Sequence, residues 1–156
     1  MMLLLPLVSL LCLWAAWSDV ARMKIPNRAV VALVIVFLLV GPFGLPWPDY
    51  LYRWLNLPVV LVAGFLLTVA GLIGAGDAKF LAAMALFVDP GDASFFLLLT
   101  AVVLVVVFAV HRAARASAAI RRLAPTWESW HRREFPMGLA FGPALVLYIA
   151  LGSTLP

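Results

Sequence analysis

The sequence predicts an all-α integral membrane protein, a polytopic bundle of about six transmembrane helices, and three observations lead there. Hydrophobic residues make up 66% of the 156-residue chain and charged residues only 12%, with a mean hydropathy of +1.12. Soluble domains are near half apolar and a quarter charged. The apolar residues also gather into runs separated by short polar or Gly/Pro-rich breaks, and the length allows about six spans at roughly 20 residues each. The third observation is the placement of the cations. In a six-span scheme with both termini external, Arg22, Lys24, Arg28, Lys79, Arg112, Arg115, Arg121, Arg122, Arg132 and Arg133 fall on one side, and only Arg53 on the other. Cytoplasmic loops carry such an excess, so the crowded side is the cytosolic one. The spans use up the length, and residues 1–156 read as a single transmembrane domain.

Taken in order, residues 2–17 form the first apolar segment. No Lys or Arg precedes it and its positive charges follow it, a pattern that fits a retained helix rather than a signal peptide. Residues 18–28 are a basic cytosolic loop, in which Pro26 drives Ile25 toward extended geometry and Asn27 is placed to cap the next helix. The second span covers 29–40 and ends in the breaker-rich stretch 41–48; the aromatic-rich stretch 49–56 reads as an outer interface. The third span covers 57–73. The fourth, 77–88, is short, roughly 18 Å of helix against a hydrocarbon core of about 30 Å. If it reaches the acidic turn at 89–92, its first residue lies below the inner membrane surface. Irregular backbone at that depth is tolerated only inside protein or beside a wet cavity. The fifth span covers 94–110, a basic cytosolic segment 111–134, and the sixth span 135–155.

The polar break Gly74-Ala75-Gly76-Asp77-Ala78-Lys79 interrupts the apolar run 57–88. Ionisable groups inside membrane segments are costly and rare enough to mark function. Gly74 and Gly76 allow a sharp turn and the close approach of another chain. Five of the seven acids, Asp49, Asp89, Asp92, Glu128 and Glu134, are loop residues; Asp19 and Asp77 remain, both on the cytosolic edge. Asp19 follows the C-terminal end of the first helix, where the dipole disfavours an anion. Arg22 or Lys24 could neutralise it as an ordinary loop acid. Paired with Asp77, it suits aspartyl proteolysis: one carboxylate takes a proton from water while the other, protonated, polarises the scissile carbonyl, and two close carboxylates share a proton because both cannot ionise cheaply.

Other chemistries are poorly supplied. Neither acid has a His or Cys nearby in sequence, and two carboxylates alone make a sparse ligand set, so no metal or other cofactor is expected. Cys12 is alone in an apolar run, which leaves no disulfide framework or Cys-based zinc site. His111 and His131 both lie in the basic segment, so no Ser-His pair is available elsewhere. The net charge of +4 is what membrane topology requires, so no nucleic-acid partner is expected.

These residues resemble the type IV prepilin peptidases, GxGD aspartic proteases of bacterial membranes. Gly74-Ala75-Gly76-Asp77 with Lys79 looks like that family's second catalytic motif, and Asp19 followed by Ile25-Pro26-Asn27 looks like its first. The match extends over 18–87, with a looser echo at 135–143 (FPMGLAFGP). The resemblance implies that Asp19 and Asp77 are the catalytic pair, supported by Gly74, Gly76, Lys79, Ile25, Pro26 and Asn27. It also implies prepilins and pseudopilins, Flp-type pilins among them, as substrates in the bacterial inner membrane, cut at the cytosolic face after a basic leader and a Gly. Larger members carry an N-terminal segment with CxxC pairs linked to N-methylation. With one cysteine and no room for that segment, this chain looks like the minimal Tad/Flp-type form, without the methyltransferase activity.

Several features admit two readings. Lys79 either snorkels to the interface or tunes Asp77 or contacts substrate. Segment 111–134, with Trp127 and Trp130, is an anchor on anionic lipid, or it gates the site with Glu128 and Glu134 meeting the basic leader. Competing functions are a small proton-linked carrier that relays protons through Asp77, which leaves Asp19 unexplained, and a non-catalytic assembly subunit of a secretion or pilus machine.

Overall fold

The structure, a computed structural model, describes residues 4–152, and among these it contains helices, turns and loops but no strand. The helices are α1 (Leu5–Arg22), α2 (Asn27–Gly44), α3 (Trp47–Arg53), α4 (Asn56–Val69), α5 (Ala75–Ala85), α6 (Ala93–Ala116), α7 (Ala118–Leu123) and α8 (Gly138–Leu151). Among the described residues four stretches are long and apolar enough to cross a membrane: α1, α2, α3 with α4 as Trp47–Val69, and Pro90–Ala116. The shorter α5 and α8 complete an all-α membrane bundle. Large apolar side chains such as Leu10, Leu39, Phe65 and Leu97 face outward, the surface that lipid would cover. The expected start of the first span at residue 2 and end of the sixth at 155 lie outside the described residues.

Helix α5 is the innermost element, packed against α4, α2 and α8, with Ala78, Phe80, Ala82, Ala83, Met84 and Ala85 buried. Lipid supplies no hydrophobic drive for helices to associate, so close packing of small residues must hold them. A Cβ on Gly64 would stand 2.9 Å from the Cβ of Ala78, and one on Gly142 would stand 3.0 Å from the carbonyl oxygen of Cys12. The first contact clamps α4 to α5 and the second α8 to α1. Beyond α5, Phe37 meets Tyr50, Trp54 and Phe87 at centroid distances of 5.3, 5.5 and 5.3 Å.

Several element boundaries differ from those expected. Helix α1 runs past residue 17 to Arg22, because residues 18–22 contain no breaker, so Asp19 sits on its last full turn and not in a loop. Pro26, not Asn27, takes the N-cap position of α2; Asn27 is exposed as the first helical residue and makes no side-chain cap bond. Helix α2 continues through Pro42 to Gly44. Pro42 cannot donate to the carbonyl of Leu38, and the Tyr50 hydroxyl donates to that oxygen instead, at 3.3 Å. Stretch 49–56 is a short helix and the start of another, with Tyr50 and Arg53 buried and Asp49, Leu51, Tyr52 and Leu55 exposed.

The third span stops at Val69, short of residue 73, where Gly71 turns the chain at a φ of 74°. Side chains end α5 at Ala85: the Asn56 amide donates to the carbonyls of Ala85 and Val88, and Arg53 donates to that of Phe87. Helix α6 extends beyond residue 110 to Ala116, since the Ala/Arg run there favours helix, and takes in His111, Arg112 and Arg115.

These connections sort the chain into two ends. At one end Arg53 pairs with Asp89 at 2.9 Å, and Tyr148 of α8 donates to Asp92 at 2.7 Å and accepts from the Asp89 amide at 3.1 Å. At the other end lie the C-termini of α1, α4 and α6 and the N-termini of α2, α5 and α8, together with the remaining cations.

Candidate active site

At that second end Asp19 is delivered by the last turn of α1 and is only 6% exposed. The turn closes when the Met23 amide donates to the Asp19 carbonyl at 2.8 Å, with Met23 in the left-handed region at a φ of 51°. Ser18 Oγ then donates to the carbonyl of Lys24 at 2.9 Å and pins the chain as it reverses. A buried carboxylate at a helix C-terminus needs a donor to offset the dipole. Neither Arg22 nor Lys24 supplies it. The Gly138 amide, at the first residue of α8, donates to Asp19 Oδ2 at 2.7 Å. An anion beside the N-terminus of α8 is favoured by the unpaired amides there.

Asp77 occupies the first turn of α5, where Gly74 is the N-cap and the Gly74 amide donates to Asp77 Oδ2 at 3.2 Å. This is the acidic half of a capping box. Each carboxylate thus uses Oδ2 on one backbone amide, and neither Oδ1 has a protein donor among the described residues.

Asp19 and Asp77 line two clefts in common. One, of about 540 Å³, is walled by Met23, Leu72, Gly74, Arg132, Glu134 and Met137, among others. The second, of about 290 Å³, lies between the turn 23–25 and the loop 74–76. Ile25 holds the parts in register: a Cβ on Gly138 would stand 3.0 Å from its Cδ1, and one on Gly76 would stand 3.8 Å from its Cβ. The turn after α1 therefore touches the starts of both α5 and α8.

Among the sequence-derived candidates, Asp19, Asp77, Gly74, Gly76 and Ile25 come together at this site. Pro26 starts α2 beside it, its carbonyl accepting from the Ala29 amide at 2.9 Å. Asn27 and Lys79 are exposed and line neither cleft; a residue two positions after Asp77 points to the far side of a helix. Among the described residues no group of three or more His, Cys, Asp or Glu side chains could hold a metal ion. The residues that sequence reasoning missed are Met23, Leu72, Arg132 and Met137, and the donor role of Gly138. Gly138 and Gly142, one helical turn apart, were the available signal, since small residues at that spacing mark close helix contacts.

Residues 6–110 match the family model described as the type IV leader peptidase family, a range that holds both aspartates and helices α1 to α5 with most of α6. The chain belongs to the type IV leader peptidase family. Family membership makes it, in general terms, a leader-peptidase-like protease. No curated protein and no solved structure matches the chain significantly. Gly138 and the strap 132–137 that walls the larger cleft lie outside the stretch matched to the leader peptidase model.

Proposed function

We propose that this protein is an aspartic endopeptidase that removes the basic leader from type IV and Flp-type prepilins and pseudopilins at the cytosolic face of the bacterial inner membrane. The observation that carries this reading is the shared lining of both clefts by Asp19 and Asp77, two acids far apart in sequence that α1 and α5 bring to one end of the bundle. A single submerged carboxylate would serve a proton-relaying carrier equally well; a pair on common clefts, each with an unengaged Oδ1, favours hydrolysis.

In the mechanism, the ionised carboxylate takes a proton from a water held in the cleft that the two acids share. As the water oxygen attacks the scissile carbon, the protonated partner gives its proton to the carbonyl oxygen. Attack gives a tetrahedral diol. Its collapse passes a proton to the leaving amine and returns the pair to one shared proton. The amides of Gly138 and Gly74 hold each carboxylate by its other oxygen, so neither has to reorient during the reaction. An extended peptide would enter through the smaller cleft and leave through the larger one, or the reverse, with the substrate's apolar helix remaining among the spans.

Co-expression with a candidate prepilin tests the reading. The expected result is a shortened product that disappears with Asp19→Ala and with Asp77→Ala, since positioned acid–base groups contribute roughly 10²- to 10⁴-fold each. Cleavage that survives either substitution would sink the paired-carboxylate mechanism.

A further inference from the structure

A second site lies on the same end of the molecule, outside the cleft that holds the aspartates. Helix α6 leaves the bundle at Ala116, and after Ser117 the short α7 begins. Helix α7 has two characters. Ile120 and Leu123 are exposed, Leu123 to 85%, and their spacing puts them on one face of the turn. Arg121 and Arg122 instead contribute to a pocket of about 390 Å³, completed by Ala118, Pro125, Trp130 and His131. No acidic residue lines it. Neither arginine has a carboxylate partner among the described residues, and the nearby Glu128 is engaged by Arg132 at 3.4 Å.

The pocket wall is fixed in place. The Trp130 indole donates to the Ala124 carbonyl at 2.9 Å, closing the loop between α7 and the wall. Its ring stacks on His111 at 5.2 Å and on Trp127 at 5.5 Å. Two guanidiniums and an imidazole around a rigid aromatic wall form a receptor for a group with several anionic oxygens. Arginine's planar fork suits phosphate in particular. The apolar residues on the same turn select the source. An exposed Leu and Ile beside an arginine pair, at the exit of a 24-residue apolar helix, are what an element lying at a lipid surface presents.

We propose that Arg121, Arg122 and His131 bind the phosphate of an anionic phospholipid headgroup, with Ile120 and Leu123 set into the acyl region beside it. The bound lipid would fix the start of the strap that continues from His131 into Arg132, Glu134 and Met137, the wall of the larger cleft. The site stands independently of the proposed peptidase activity.

The test is lipid retention by the full chain, purified in mild detergent and supplied with phosphatidylglycerol and phosphatidylcholine of identical acyl chains, read by native mass spectrometry. Wild type should retain phosphatidylglycerol preferentially. At the strength typical of a basic side chain near an anionic surface, removing both arginines should weaken that retention roughly 30-fold. The double variant Arg121→Gln/Arg122→Gln is compared with Arg28→Gln/Arg112→Gln, which makes the same change in net charge elsewhere on this end. Both pairs are exposed, so each double variant should fold. Equal loss in the two variants, or no headgroup preference in wild type, would overturn the proposal. Competition by inorganic phosphate as effective as that by short-chain phosphatidylglycerol would assign the pocket to a soluble phosphate and overturn the lipid source.

Discussion

Replacing Gly138 with Ala should displace one carboxylate without removing it. The added Cβ would stand 3.0 Å from Asp19 Oδ2, 3.0 Å from Ile25 Cδ1 and 3.2 Å from Asp19 Cβ, where ordinary contacts are 3.4–4 Å. The Asp19 Cβ is fixed to a buried helical turn, so relief requires either that α8 move away from α1 or that the carboxylate rotate. Both lengthen the 2.7 Å bond from the Gly138 amide, and a hydrogen bond to a charged group contributes about 1.5–3 kcal/mol. A displacement of about 1 Å costs roughly 100-fold in rate, so a shift of a few tenths with a weakened bond should cost about 10- to 100-fold in kcat/KM. Gly142→Ala is the control. Its Cβ would meet Cys12 at 3.0 and 3.3 Å, so it strains the same helix pair without touching Asp19. The assay is cleavage of a leader-bearing substrate in proteoliposomes, expressed per folded molecule, with folding read by fluorescence-detected size exclusion. The reasoning fails if both variants lose the same activity, or if Gly138→Ala cleaves at the wild-type rate.

Met23→Gly should raise stability by about 1 kcal/mol, because glycine tolerates the left-handed conformation that closes α1. It should also raise KM, since the Met23 side chain lines both clefts; a thermal melt and a substrate titration read the two effects, and an unchanged KM would remove Met23 from the substrate path. Tyr50→Phe should cost about 0.5 kcal/mol of stability through the long hydroxyl bond to Leu38, and almost nothing in a Pro42→Ala background, where the new amide reaches the same carbonyl. Equal costs in the two backgrounds would show that the hydroxyl does not stand in for the proline's missing donor. Arg53→Met should destabilise by about 2 kcal/mol, chiefly by orphaning the Phe87 carbonyl, because Asp89 is partly exposed and can be solvated. A melt unchanged from wild type would refute that account.

Much of this molecule was legible in the chain itself. Apolar content and the gathering of Lys and Arg require helices that satisfy their own backbone in lipid, which is why the bundle followed from composition. The shortness of α5 and its start beside Asp77 followed from the position of the glycines. Asp19 stood out because an acid at a helix C-terminus must be offset by something. What offsets it was decided by tertiary structure. Residues Arg22 and Lys24 were the local candidates, yet the donor is the amide of Gly138, supplied by a helix more than a hundred residues away. No local pattern encodes which amide a buried carboxylate will meet. The boundaries at Pro42 and Asn27 were misjudged for a related reason: propensity describes a residue alone, while Tyr50 relieved the proline from another helix and Pro26 took the cap that Asn27 was expected to fill. The sequence alone determined that two aspartates are carried on the same side of a membrane bundle. Only the packing of α1, α5 and α8 set both acids on common clefts, each held by one oxygen with the other left open, because contacts between distant helices depend on shape and on which polar groups remain unpaired.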